Sequence, residues 1–142
     1  MGAGQNKRSM SFIDSLALGT LLAAYSKKAA GEIYWIADER PYSMLEIAET
    51  VKLVLSEDFG IKVKPTNLHV PGVISDLARL VDGSLQKLGL YHQKFHVLSE
   101  MNQNIVCDIS KAKRELAFKP ICELREGMQR SIDWCLKHGQ EI

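Results

Sequence analysis

The sequence has little net charge, few cysteines and no long apolar run, and each absence excludes a class of protein. A formal net charge of +1 over 142 residues gives no reason to expect binding to nucleic acid or to an anionic membrane. The longest apolar run, from Leu16 to Ala24, is far too short to span a bilayer. The first ten residues contain no apolar core of a signal peptide. We therefore expect a cytoplasmic protein whose partners include neither nucleic acid nor a membrane.

The cysteines and histidines do not form a metal-binding pattern. The three cysteines are odd in number and widely spaced, which predicts reduced, buried thiols of an intracellular protein rather than a disulfide framework or a zinc site. They are Cys107, Cys122 and Cys135. His92 and His96 lie four residues apart, but Gln93 stands where the metalloprotease motif requires Glu. We therefore expect two loop histidines and no metal.

The stretch from Asn104 to Trp134 organises the chain, because it predicts a strand, a short helix, a turn and a closing helix. The β-branched Ile105 and Val106 favour a short buried strand. Asp108 and Ser110 can each accept backbone N–H bonds where the short helix begins. The closing helix is predicted from apolar residues at spacings of four, four and three, followed by a capping glycine. These residues are Leu124, Met128, Ile132, Cys135 and Gly139.

Earlier parts of the chain predict further elements. Leu16 to Ala29 reads as a helix that is apolar almost all round, and residues 32–37 read as a strand. Ser43 and Glu46 form a capping box that opens an amphipathic helix. A strand over residues 62–70 and a helix over residues 74–88 follow from the same criteria.

Two stretches resemble one family of enzymes. The run from Asp108 to Pro120, DISKAKRELAFKP, is followed by Glu126-Gly127 and Asp133-Trp134. It resembles the C-terminal signature of the extended short-chain dehydrogenase/reductases, the NAD-dependent epimerase/dehydratase enzymes, except that Ala117 stands where the family usually has Gly. The run from Arg8 to Asp14 is similar to the Arg and Val-Asp that precede a long helix in that family. The Tyr-Ser-x-x-Glu-Ile start at residues 42–47 is shared as well.

The resemblance implies the fold. It covers nearly all of this chain but only about the C-terminal half of a family member. The expected fold class is α/β, as an α+β-like fragment of mostly helices with a few short strands that lacks the main nucleotide-binding sheet. Residues 1–142 are expected to form a single, substrate-side unit. Within it, residues 8–37 resemble elements that pack on a nucleotide-binding lobe.

The resemblance also implies where a substrate lies. In sugar-nucleotide members, the arginine at the position of Arg8 binds the diphosphate, since a guanidinium forks onto phosphate oxygens. Considered without the family, Arg8 is better interpreted as a solvated arginine beside Lys7, because charged residues are mostly exposed. With the resemblance, the two interpretations carry equal weight. Tyr91, His92 and Lys94 fall in the family's variable cleft region and are candidate substrate contacts. The cofactor of a full-length member is NAD or NADP.

The family's catalytic parts are missing from the sequence. There is no Gly-x-x-Gly-x-x-Gly loop, and none of the four tyrosines is followed four residues later by Lys. We therefore expect no catalytic residue and no bound cofactor in this chain alone.

Three functions remain open. The chain is expected to be the substrate-binding portion of a nucleotide-sugar epimerase or dehydratase. No arginine lies between Leu98 and Cys107, where sugar-nucleotide members often carry a second one. This favours, as an alternative, a reductase similar to dihydroflavonol reductases or hydroxysteroid dehydrogenases. The third possibility is a small non-enzymatic interaction module. For the chain alone, the apolar helix predicts a homo-oligomer formed near Leu18, Leu22, Tyr25 and Tyr34.

Overall fold

The computed structural model of the chain describes residues 4–64, 81 and 103–140. Its elements are β1 (Lys7–Arg8), α1 (Ile13–Tyr25), a 3-10 turn (Lys27–Ala29), β2 (Tyr42–Ser43), α2 (Met44–Leu53), a π-helical turn (Val54–Asp58), α3 (Ser110–Leu116) and α4 (Leu124–Lys137). The described part is therefore mostly helical with one two-stranded sheet, as the sequence predicts. The helix predicted over residues 74–88 falls almost wholly outside the described residues, and so do all but the first three positions of the strand predicted over 62–70.

The small sheet joins segments that are far apart in the sequence. β1 pairs antiparallel with β2, with Lys7 opposite Ser43 and Arg8 opposite Tyr42. On the other side of β1, Arg8 forms a parallel bridge with Ile105, and the Ser9 amide donates to the Ile105 carbonyl at 2.9 Å. The predicted strand at Ile105 is thus a single bridge. The expected burial is wrong, because Ile105 and Val106 are about half exposed.

The core is centred on one face of α3. Five buried residues form it: Ala37, Ile109, Ala112, Leu116 and Phe118. Leu22 and Ala23 of α1 pack against this cluster, as do Tyr34 and Ile36 of the following loop. Asp108 Oδ1 accepts hydrogen bonds from the Ser110 amide at 2.8 Å and the Ser110 hydroxyl at 2.6 Å, so Asp108 fixes the start of α3. The signature stretch is therefore the unit around which the described residues pack.

The helix α1 is shorter than predicted. It ends at Tyr25, and the 3-10 turn at Lys27–Ala29 covers the remainder of the predicted range. Its packed side carries small residues that allow close approach: a Cβ on Gly19 would lie 2.7 Å from Ile36 Cδ1. The Ser15 hydroxyl, which is fully buried, accepts a hydrogen bond from the Ile121 amide at 3.0 Å. These two contacts hold α1 against the loop before β2 and the turn before α4.

The loop over residues 32–37 is not a strand among the described residues. Its side chains nevertheless alternate as those of a strand do: Tyr34 and Ile36 pack on the core, while Ile33 and Trp35 are exposed. The prediction of a strand fails because no described segment forms a ladder with this loop.

The helices α2 and α4 begin where the sequence predicts, but only the Ser43 half of the predicted capping box is seen, since the Glu46 carboxylate pairs with Arg40. The Ser43 hydroxyl accepts from the Glu46 amide at 3.0 Å and caps α2. In α4, Leu124 and Ile132 are buried on the predicted face, and Gly139 follows the helix with φ +69°. Arg125 of α4 pairs with Asp58 at 3.0 Å, which ties α4 to the π-helical turn.

The three cysteines are free thiols. Only Cys122 is buried, and burial raises the pKa of its thiol. Cys107 and Cys135 are half-buried, so the predicted burial is wrong for both.

The residue that ends α3 is in an unfavourable backbone conformation. Ala117 is left-handed, with φ +53° and ψ +29°, and its amide donates to the Ala112 carbonyl. A side-chain Cβ costs energy in this region, whereas glycine adopts it freely. The local geometry therefore explains why the related signature usually has Gly at this position.

Ala117→Gly is expected to raise the free energy of unfolding by about 0.5–1 kcal/mol, because relief of left-handed strain exceeds the added entropy of the unfolded chain. Urea unfolding monitored by circular dichroism measures the change. Gly139→Ala is the matched control, since Gly139 is also left-handed and a Cβ there meets no atom within 4 Å. The control should be destabilised by a similar amount. A destabilised Ala117→Gly protein would contradict this explanation.

Candidate functional site

Of the four residues predicted to contact a substrate, Arg8 is the one that lies within the described residues. It lies in β1 and is half-buried, at the point where residues 6–9, 42–43 and 103–107 meet. Tyr91, His92 and Lys94 lie outside the described residues. We call the meeting point of these three segments the Arg8 junction.

Side chains fix the backbone of the Arg8 junction. The Lys7 amide donates to Asn104 Oδ1 at 2.7 Å, and the Cys107 amide donates to the Ser9 hydroxyl at 3.1 Å. Asn6 donates from its side chain to the Gln103 carbonyl at 3.3 Å. Arg8 is therefore held by hydrogen bonds on both sides of it in the chain. A guanidinium on a fixed backbone is suited to bind a phosphate or a carboxylate with two parallel hydrogen bonds.

Tyr42, the strand partner of Arg8, connects the junction to α4. Its hydroxyl accepts a hydrogen bond from the Leu124 amide at 3.3 Å, at the start of α4. The Arg40 guanidinium lies over its ring, 4.5 Å from the centroid. Burial raises the pKa of Tyr42 to about 12, so its phenol remains protonated near neutral pH. Tyr42 therefore acts as a structural link and not as a proton acceptor.

Asp38 is a buried carboxyl that the sequence analysis did not identify. It is 5% exposed, and its amide donates to the Met10 carbonyl at 2.7 Å. Burial raises the pKa of Asp38, and hydrogen bonds from the Tyr42 hydroxyl and the Phe12 amide oppose that effect. The Glu123 carboxylate raises the pKa further. No local pattern marks this residue, because Met10, Phe12 and Glu123 come from distant parts of the chain.

A tyrosine and a lysine do approach each other elsewhere, at Tyr34 and Lys111. The Lys111 ammonium lies 4.8 Å from the Tyr34 ring centroid and 2.6 Å from Glu32 Oε2. The Tyr34 hydroxyl donates to Glu115 Oε2 at 2.9 Å. Burial, together with this hydrogen bond, raises the pKa of Tyr34. A tyrosine that acts as a base needs a lowered pKa, so this cluster has the properties of a structural contact.

One side of α1 exposes a continuous set of apolar residues. Ile13, Leu16, Leu21 and Tyr25 are exposed by 64%, 46%, 55% and 87%. Ile33 and Trp35 of the following loop are also largely exposed. We call these six residues the outer face of α1. Large exposed apolar patches on a protein surface mark interaction sites.

The outer face of α1 differs from the residues predicted to drive association. Tyr25 is exposed as expected. Leu18 and Leu22 are half-buried, and Leu22 and Tyr34 pack against the core. Leu22 lies on the side of α1 that packs against the core cluster, next to Ala23.

Neither a metal-ligand cluster nor a membrane-spanning helix is found among the described residues. Within residues 4–64 and 103–140, no three His, Cys, Asp or Glu side chains are grouped as metal ligands. In the same part of the chain, no helix has both the length and the apolar character needed to cross a membrane.

Solved structures define the class of fold. UDP-glucuronic acid 4-epimerase from Bacillus cereus, in complex with UDP-glucuronic acid and NAD, matches with a TM-score of 0.60 and 23% sequence identity. The match covers 97% of this chain and 34% of the epimerase chain. The same enzyme in complex with NAD matches with a TM-score of 0.59. The chain therefore has the fold of the C-terminal part of an extended short-chain dehydrogenase/reductase, and the resemblance seen in the sequence is confirmed at the level of the fold.

Relatives in sequence are longer than this chain. An uncharacterized protein, y4nL, of Sinorhizobium fredii (strain NBRC 101917 / NGR234) is 55% identical over 142 residues, which is all of this chain and 40% of that protein. The 3beta-hydroxysteroid-dehydrogenase/decarboxylase isoform 1 of Arabidopsis thaliana is 33% identical over 112 residues, which is 75% of this chain and 24% of the plant protein. No family model matches the chain.

Relative to the parent protein, Asp38→Asn is expected to have a higher free energy of unfolding at neutral pH than at acid pH. The pKa of Asp38 is raised in the folded state, so the unfolded chain ionises at a lower pH than the folded protein does. The free energy of unfolding therefore falls as the pH rises above about 4. Asparagine removes this loss. Unfolding free energies of both proteins, measured by urea titration between pH 3 and pH 8, test the expectation. A difference that stays constant over this range would show that the Asp38 charge carries no folding penalty.

Proposed function

We propose that this chain is the substrate-binding, C-terminal portion of an NAD(P)-dependent nucleotide-sugar epimerase- or dehydratase-like protein and is not catalytic by itself. One observation carries the proposal: Arg8, the residue expected to bind the substrate diphosphate, lies on a fixed junction within a fold shared with a UDP-glucuronic acid 4-epimerase. The lack of a cofactor glycine loop and of a Tyr-x-x-x-Lys pair supports the second part of the proposal.

The role of the chain's own residues is to bind and orient. Arg8 holds the diphosphate through charge-assisted hydrogen bonds, and the hydrogen bonds of the Arg8 junction fix the backbone that carries its side chain. The candidate contacts Tyr91, His92 and Lys94 would add to the same substrate site. NAD or NADP, held by a nucleotide-binding lobe, would accept and return the hydride. This chain then contributes substrate position, which is a large part of catalysis.

A nucleotide-binding lobe would cover the outer face of α1. The exposed Leu21 and Tyr25 and the neighbouring Trp35 form the apolar surface that such a contact requires. The alternating side chains of the loop over residues 32–37 suit a strand that is completed by a partner sheet. Residues 8–37 are thus assigned to contact with that lobe. The cytoplasm is the expected location of such a metabolic enzyme.

A carbonyl reductase is the second candidate, and two observations favour it. The two isoforms of the Arabidopsis enzyme are 33% and 24% identical to this chain and are described as hydroxysteroid dehydrogenases/decarboxylases. The stretch from Leu98 to Cys107 also lacks the second arginine that suits a diphosphate. In this case the substrate is an alcohol or ketone without phosphate, and Arg8 makes no contribution to affinity. Binding of a UDP-sugar and of a sterol, compared by calorimetry, distinguishes the two candidates.

Arg8→Ala is expected to weaken binding of a nucleotide diphosphate-sugar by about 1.5–3 kcal/mol, the range for hydrogen bonds to charged groups. The measurement is isothermal titration calorimetry on a protein in which this chain is joined to a nucleotide-binding lobe. Lys7→Ala is the matched control, because Lys7 is the exposed neighbour of Arg8 in the same short strand. Equal affinities for the parent protein and Arg8→Ala would remove Arg8 from the site.

The purified chain alone is expected to turn over no NAD in the presence of a nucleotide-sugar, because the groups that bind the cofactor and transfer the proton are absent from its sequence. Nicotinamide absorbance reports the reaction. Turnover that copurifies with the chain and is lost in an Arg8→Ala preparation would contradict the proposal.

Without a lobe, the chain is expected to self-associate through the outer face of α1, since an uncovered apolar surface favours association. Light scattering at micromolar concentration should give a mass above that of one chain, and Leu21→Glu should reduce it. Leu136→Glu on α4 is the control, since Leu136 is also an exposed leucine but lies outside this face. A monomer whose Leu21 and Tyr25 are exposed to solvent would show that the outer face does not drive association.

A further inference from the structure

A small cavity lies beside Asp38, where the segment before α1 meets the first turns of α4. Its volume is about 140 Å³. One side of the lining is apolar and comes mainly from Met10, Phe12, Leu124 and Met128. The polar lining is formed by Ser11, Asp38, Glu123 and Ser131. The cavity is therefore lined by apolar and polar groups, and its most buried polar side chain is that of Asp38.

The Asp38 carboxyl has one oxygen without a partner. Asp38 is 5% exposed, and its Oδ1 has no hydrogen-bond partner among the described residues. The Phe12 amide and the Tyr42 hydroxyl donate hydrogen bonds to this carboxyl. A buried acceptor that is left unsatisfied costs about 1–3 kcal/mol, more when it is charged. The fold therefore offers a strong acceptor to whatever enters the cavity.

We propose that this cavity is a binding site for a hydroxyl group that donates a hydrogen bond to Asp38 Oδ1. The hydroxyl comes either from internal water or from a small alcohol. A volume of about 140 Å³ is well above the roughly 10–15 Å³ that one internal water needs. It equally accommodates a compact alcohol whose carbons contact Met10 and Met128. The polar side then receives the hydroxyl, and the apolar side receives the carbons.

The cavity is bordered by the Asp38 and Glu123 carboxylates and by the start of α4, and a hydroxyl can interact with both because it is a donor and an acceptor. The first turn of α4 borders the cavity at Glu123 and Leu124, and a helix N-terminus carries a partial positive charge. A hydroxyl can donate to Asp38 and still tolerate that positive end, because its oxygen is also an acceptor. An ammonium group has no acceptor.

A matched pair of probes tests the proposal on the full chain. 2-Propanol and acetone share one heavy-atom skeleton, but only the alcohol donates a hydrogen bond. Titrated against ¹⁵N-labelled protein, 2-propanol should shift the amide resonances of Phe12, Leu124 and Gly127 with an affinity about tenfold higher than that of acetone, the factor expected for one charge-assisted hydrogen bond. Water-to-amide NOEs at the same residues, recorded without a probe, report internal water. Long-lived water that 2-propanol does not displace identifies water as the source, whereas displaced water identifies an alcohol site.

Asp38→Asn is expected to remove the preference of the cavity for 2-propanol over acetone. In Asp38→Asn, the Phe12 and Tyr42 donors hold the side-chain carbonyl, so the amide NH₂ faces the cavity as a donor. Acetone should then bind at least as tightly as 2-propanol. Ser56→Ala is the control and should keep the preference of the parent protein, because Ser56 lies outside the cavity and its hydroxyl donates to the Lys52 carbonyl at 2.8 Å. Equal shifts by both probes in the parent protein would overturn the proposal. So would the absence of both probe binding and long-lived water.

Discussion

The burial of one face of α3 is the constraint on which the rest of the described structure depends. Ala112 and Leu116 of this seven-residue helix, with Phe118 after it, form most of the core cluster. A helix this short is not stable alone in water and persists because its apolar face is packed. The same packing brings α1 and the loop over residues 32–37 together, since Leu22 and Ile36 contact the cluster.

Long-range hydrogen bonds then place the candidate site relative to this core. The Ser15 hydroxyl accepts a hydrogen bond from the Ile121 amide, and the Tyr42 hydroxyl accepts one from the Leu124 amide. The helix α1, which follows Arg8, and β2, which pairs with it, are therefore both tied to the segment where α4 begins. These bonds join residues 106 and 82 positions apart. Removing the Tyr42 hydroxyl would leave the buried Leu124 amide unsatisfied, which is among the larger costs that a single substitution can cause. The position of Arg8 is in this sense a property of the whole described fold.

How much of this could be predicted depends on whether the signal is local. The helices α2 and α4, their caps at Ser43 and Gly139, and the packing role of the signature follow from periodicity and capping residues. The strand at residues 32–37 and the burial of Ile105 were predicted wrongly, because β-branched residues indicate a pleated surface but not whether another strand covers it. Asp38 has no local signal at all. Its burial results from Met10, Tyr42 and α4 meeting in three dimensions, which no spacing in the sequence records.

The outer face of α1 tests the account most directly, because the proposed function requires a nucleotide-binding lobe to cover it. Trp35 lies on this face and Trp134 lies on α4, so a Trp134→Phe protein reports on Trp35 alone. Quenching of Trp35 fluorescence by iodide should be strong in the isolated chain, diluted until light scattering finds single chains. It should fall several-fold when a tryptophan-free nucleotide-binding lobe is supplied as a separate polypeptide. Unchanged quenching in a mixture that is shown to form a complex would mean that the lobe does not pack on this face, which would contradict the account.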